Sequence, residues 1–173
     1  PDLKAGFQGL STTKKLFRVG ERAKAIEFIT NWLRSNAREY VKICDPYFDE
    51  EQLWILQSVP LDIEVKIVTT GKKLGLPPRN DHLDNLTPIV IRERQKDERK
   101  RLQSLFTKAW NELSNQAPPA TLVVLHETIF DTAEKDDFHD RYLITKEAGL
   151  SIGTSLNGFG NQEFLITILS RPS

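Results

Sequence analysis

The 173-residue chain contains no methionine, a single cysteine and no net charge, and each of these scarcities excludes something. With Cys44 as the only thiol, no internal disulfide can form, so a cytoplasmic, reducing setting is expected. Lys plus Arg and Asp plus Glu each number 24, so no global field draws the chain toward nucleic acid or a membrane. Any such attraction must come from a local patch. No apolar run approaches the roughly 20 residues that span a bilayer, and no charged-then-apolar leader opens the sequence. The absence of methionine and the opening Pro1 lead us to expect a piece of a longer polypeptide carrying other domains.

What is present fits one domain. The hydrophobic share of 39% is ordinary for a soluble core, and the length is that of a single folding unit. Residues 1–19 read as an N-terminal arm or edge segment, and 20–173 as the domain proper. Ala25, Phe28, Ile29, Trp32 and Leu33 recur with helical spacing within a segment from Gly20 to about Ala37. Tyr40 to Cys44 is a short strand, stopped by Pro46, which cannot donate to a ladder. Asp49, Glu50 and Glu51 open a short helix, and Ile63 to Val68 is the next strand. Residues 72–91 read as loop, and 92–115 as a long helix striped by Leu102, Leu105, Phe106, Trp110 and Leu113. Four later strands begin at Thr121, Tyr142, Leu150 and Phe164. The pattern predicts an α/β domain whose mixed β-sheet is flanked by helices on both faces.

The chemistry concentrates in Phe138-His139-Asp140-Arg141-Tyr142 and in Gly153-Thr154-Ser155-Leu156-Asn157-Gly158. On a strand, His139 and Arg141 share one face and Asp140 takes the other. A histidine carries protons or attacks near neutral pH, and an arginine fork grips phosphate. A glycine-rich turn with small hydroxyls offers backbone N–H groups to an anion. The same residues also allow a plainer account. In it His139 pairs with Asp140 or Asp137, Arg141 is a surface cation, and the turn is only a tight loop.

In order and spacing these segments resemble the phospholipase D signature. His139-x-Arg141 stands where that family has His-x-Lys, and Gly153-Thr154-Ser155-Leu156-Asn157 stands for Gly-Ser-x-Asn. Cys44-Asp45-Pro46-Tyr47, Val68-Thr69-Thr70 and Gly153-x-x-Leu156-Asn157-x-Phe159 are similar to the C-terminal phospholipase D-like domain of MIT-domain trafficking proteins, across residues 20–170. The resemblance implies His139, Arg141 and Asn157 as the catalytic set, with His139 as nucleophile or acid and Arg141 as phosphate clamp. Asp45, Thr154 and Ser155 would be ligand-binding. It implies no metal and no cofactor, and a homodimer, because two such motifs must meet to act on one phosphodiester. The partner would be nucleic acid or a phospholipid headgroup; among the MIT-domain relatives it is a membrane. Three departures favour binding over turnover: Arg141 replaces lysine, Lys146 stands where an aspartate belongs, and the asparagine comes one residue late, after Leu156. The alternatives are an active homodimeric phosphodiesterase or nuclease with a histidine nucleophile, and a protein-interaction module whose site is vestigial.

Other signals have simple alternatives. Asp45, where a strand ends, is either a site carboxylate or the start of the Pro46 turn. Glu64-Val65-Lys66 resembles the Glu-x-Lys of metal-dependent nucleases, but alternation with Ile63 and Ile67 explains it equally. His126, Asp131, Glu134, Asp136, Asp137 and His139 match no zinc spacing. Arg92 to Arg101 carries six cations and three anions, which suits either a basic patch or a solvated helix face.

Overall fold

Ala25, Ile29, Trp32 and Leu33 are all buried on α1 (Arg22–Asn36), so the helical spacing does mark the face that meets the core. The computed structural model describes residues 12–70, 88–113, 116–125 and 141–170. Seven strands make one sheet: β1 (Thr12–Phe17), β2 (Tyr40–Cys44), β3 (Glu64–Thr70), β4 (Ala120–Leu125), β5 (Tyr142–Thr145), β6 (Ala148–Ile152) and β7 (Phe164–Ser170). Their spatial order is β1-β7-β6-β5-β2-β3-β4.

The sheet has two characters. β2, β3 and β4 run parallel, so each step needs a crossover. A 3₁₀ helix (Glu50–Ser58) makes the first crossover and α2 (Pro88–Glu112) lies in the second. The 3₁₀ helix is fixed at its start by a capping box: Asp49 accepts from the Glu51 and Gln52 backbone side, and the Gln52 amide oxygen accepts from Asp49 N at 2.9 Å. β5, β6, β7 and β1 form an antiparallel run, joined to the parallel half where β5 pairs with β2. α2 starts four residues before the 92 expected from sequence. Pro88 is tolerated there because the first helical turn has no intrahelical use for its missing N–H.

Alternation places Val41, Ile43, Val65 and Ile67 in a single core with Ile29, Leu33, Ile55 and Leu56. Lys42, Glu64 and Lys66 point the other way and are exposed. Glu64 pairs in register with Tyr40, at the opposite end of β2 from Asp45. The Glu-x-Lys reading therefore lacks its aspartate partner, and among the described residues no group of three His, Cys, Asp or Glu could hold a metal. Asp97, Lys100 and Arg101 are exposed, while Leu102 is buried against the core side of α2. No described helix is long and apolar enough to cross a membrane.

A run of stacked rings ties the late strands to α1. Phe159 stacks on Phe164 at 4.9 Å, Phe164 on Phe17 at 5.4 Å, and Phe17 meets Phe28 at 5.7 Å. Phe159 sits just after the glycine-rich turn and is 1% exposed, so it anchors that turn to the core. Truncation removes both buried area and a stacking partner. Phe159→Ala is expected to cost about 3–5 kcal/mol in urea denaturation, with Phe159→Leu costing clearly less. A loss below about 1 kcal/mol for the alanine variant would mean the turn is held by other contacts.

Candidate functional site

The residues singled out by sequence gather where β2 ends. β2 stops at Cys44, and the chain turns sharply through Asp45-Pro46-Tyr47-Phe48. Asp45 N donates to Val68 O on β3, and Phe48 N donates back to Asp45 O, both at 3.1 Å. Two threonines at the end of β3 close the other side. Thr69 Oγ1 donates to Phe48 O at 3.1 Å, and Thr70 Oγ1 to Pro46 O at 2.7 Å. The turn is thus bonded along most of its length to the neighbouring strand, and its shape does not depend on solvent.

Asp45 starts the Pro46 turn and also reaches a second segment of the chain. Its Oδ1 accepts from Tyr47 N at 2.9 Å, the usual aspartate turn. Its Oδ2 accepts from Leu156 N at 2.8 Å, reaching the glycine-rich segment 111 positions later. The side chain is 2% exposed, so Asp45 acts on a ligand only through the groups it holds. Burial pushes its carboxyl pKa above the ordinary value. The backbone donors Leu156 and Tyr47 and the positive Arg141 pull in the other direction, and Asp49 adds to the rise.

Arg141 lies immediately before β5. Its carbonyl accepts from Ile152 N at 2.9 Å, which extends the β5–β6 ladder by one bond and fixes its backbone. The guanidinium carbon stands 5.4 Å from the centre of the Tyr47 ring. Nε faces Asp45 Oδ1 at 4.0 Å, close enough for attraction and too far for a hydrogen bond. Nε is buried and unpartnered, and the side chain as a whole is 20% exposed.

The segment from Gly153 to Phe159 is bonded both within itself and to its surroundings. Ser155 Oγ donates to Asn157 Oδ1, Gln162 Nε2 donates to Thr154 Oγ1 at 3.1 Å, and Asn157 Nδ2 donates weakly to Tyr47 O at 3.4 Å. Thr154 and Ser155 are 5% and 8% exposed. A Cβ on Gly158 would collide with Thr154 Oγ1, so the turn closes only with glycine there. Thr154, Ser155 and Asn157 therefore frame the site, and their hydroxyl and amide groups are already engaged.

The structure brings Asp45, Arg141, Thr154, Ser155 and Asn157 to one end of the sheet. His139 lies outside the described residues, as do His126 and the acidic stretch that follows it. Lys146 is elsewhere: at the far end of β5 it pairs with Glu39, and both side chains are exposed. The reversal of charge expected to disturb the site thus falls at the opposite end of the strands, in an ion pair of small worth. Cys44 adjoins Asp45, but burial raises its thiol pKa, which leaves it a poor nucleophile. Sequence reasoning assigned no role to Tyr47, Thr69 or Thr70. The aromatic directly after an Asp-Pro turn was the available signal for Tyr47.

No protein-family model matches the sequence, and no curated protein does. Among solved structures, NucT from Helicobacter pylori superposes with a TM-score of 0.51 at 13% identity, covering 92% of this chain and 86% of that one. Polyphosphate kinase from Porphyromonas gingivalis gives a TM-score of 0.42 at 9% identity, covering 99% of this chain and 25% of that one. The first likeness speaks for the fold alone, a mixed α/β arrangement as expected from the sequence.

A raised native pKa has a definite consequence for Asp45. The folded chain binds this proton more tightly than the unfolded chain, whose carboxyl titrates near 3.8. The stability gained from it is fully present below that value and lost as pH rises through the native pKa. Asp45→Asn removes this titration. Denaturation between about pH 7 and pH 4 should show wild-type stability improving relative to the variant as pH falls. The opposite slope would mean that the paired donors and Arg141 outweigh burial.

Proposed function

We propose that this domain binds a phosphate-bearing partner, nucleic acid or a phospholipid headgroup, through Arg141, with hydrolysis reduced or absent. The observation that carries this reading is the state of the Arg141 guanidinium. Its position is fixed by its backbone ladder bond, by the Tyr47 ring and by Asp45. Yet no described residue accepts a hydrogen bond from any of its five N–H donors. Nε is buried facing Asp45, so an oxyanion reaching the exposed part of the side chain would partner the Nη donors and leave Nε to Asp45. Phosphate fits because its oxygens match the arginine fork two at a time.

Reduced turnover follows from what surrounds Arg141. Asn157, which the resemblance makes a partner of the transferring phosphoryl group, has its oxygen engaged by Ser155 and its nitrogen directed at Tyr47 O. Stabilising a transition state requires donors aimed at charge that develops there, and these are committed within the turn. The larger Arg141 in place of lysine still serves binding, which tolerates looser placement than covalent chemistry does. Self-association through the His139–Arg141 edge, a cytoplasmic location and kinship with the MIT-domain relatives belong to the same reading. The phospholipase D-like fold supports it.

The test uses the full chain with single- and double-stranded oligonucleotides and with vesicles containing or lacking anionic lipid. Arg141→Ala should weaken binding about 10- to 100-fold, and added salt should weaken the wild type more than the variant. Turnover by the wild type in EDTA, abolished by His139→Ala, would replace this reading with that of an active homodimeric phosphodiesterase. Absence of any binding would remove the phosphate reading altogether.

A further inference from the structure

Tyr47 touches both halves of the site and belongs to neither. Its ring lies beneath the Arg141 guanidinium at 5.4 Å, its carbonyl accepts from Asn157 Nδ2 at 3.4 Å, and its N–H is held by Asp45 Oδ1 at 2.9 Å. Asp45 in turn grips Leu156 N, the residue before Asn157. Arg141 and Asn157 come from separate elements, and no described hydrogen bond joins them directly. The contacts they share run through Asp45 and Tyr47.

We propose that Tyr47 is the positioning residue of the phosphate site: its ring sets the plane of the Arg141 guanidinium so that the Nη edge, rather than Nε, is presented to the ligand. The inference rests on the phosphate-binding reading above and adds what aims the arginine. A long side chain with four rotatable bonds loses much freedom when it grips a ligand in one geometry. An aromatic face beneath the guanidinium removes part of that loss beforehand, through attraction between the cation and the negative face of the ring. The ring itself is placed by a turn bonded to β3 through Thr69 and Thr70, so the platform does not move when the ligand arrives. The tyrosine hydroxyl has no part in this, and phenylalanine should serve as well.

The experiment is a titration of the ¹⁵N-labelled full chain with inorganic phosphate, following in every variant the backbone amide resonances of the segment from Thr154 to Gly158. Tyr47→Phe should retain the wild-type affinity, and Tyr47→Leu should lose about 3- to 30-fold. In an Arg141→Ala background, Tyr47→Leu should have no further effect, because nothing remains to be aimed. Equal losses in both backgrounds, or wild-type affinity for Tyr47→Leu, would overturn the proposal. Tyr47→Met serves if the leucine variant does not fold. A second readout needs no ligand: ring currents should shift the Arg141 side-chain protons upfield in the wild type, and this shift should vanish in Tyr47→Leu. Unchanged Arg141 resonances would overturn the positioning role. Equal phosphate binding by wild type and Arg141→Ala would instead sink the phosphate reading, leaving the ring-current result to decide the role of Tyr47.

Discussion

One buried carboxylate joins the two parts from which the site is built. Asp45 accepts one backbone N–H from its own turn and another, buried, from the segment after β6, so both of its oxygens are engaged. Two unsatisfied buried donors would each cost about 1–3 kcal/mol, so the carboxylate is retained despite the penalty of its own burial. Its remaining charge faces Arg141. The same atoms that close the turn therefore face a cation at the end of the central strands.

The surrounding structure makes this arrangement stiff rather than merely possible. β3 contributes two threonines to the turn, the ring stack from Phe159 to Phe28 holds the glycine-rich segment down, and Gly158 lets that segment close on itself. Most polar groups near Arg141 are bonded to one another. The guanidinium is the exception: no described residue accepts a hydrogen bond from it, and its buried Nε faces Asp45.

Much of this was legible in the amino-acid order, and the reasons for the rest are specific. The apolar spacing of Ala25, Ile29, Trp32 and Leu33 marks α1 because burial itself selects it, and alternation in Val41-Lys42-Ile43 marks β2. The start of α2 was placed late because prolines at 77 and 78 drew the loop too far, although Pro88 is compatible with a first turn. Asp45 was ambiguous because one carboxylate both starts a turn and holds the segment after β6, and the second contact is 111 positions away. An aromatic after Asp45-Pro46 marks Tyr47 in the sequence but not its contact with Arg141, which exists only once β5 lies beside β2, a pairing stated by no local pattern. The meaning of Lys146 was hidden for the same reason. A reversed charge looks damaging beside a motif, yet the strand carries it to the other end of the sheet.

The pairing of β1 with β7 sets Thr12 opposite Leu169, so the first described strand finds its partner in the last. Closing a loop of that length costs chain entropy that no neighbouring contact repays in advance. The hairpin of β5 and β6 spans only a few residues and carries no such burden. Assembly should therefore begin among the late strands and finish when β1 docks. The lysine-bearing border of the sheet is then the last part to gain order and the first to fray, while the end that carries Arg141 belongs to the early-formed interior.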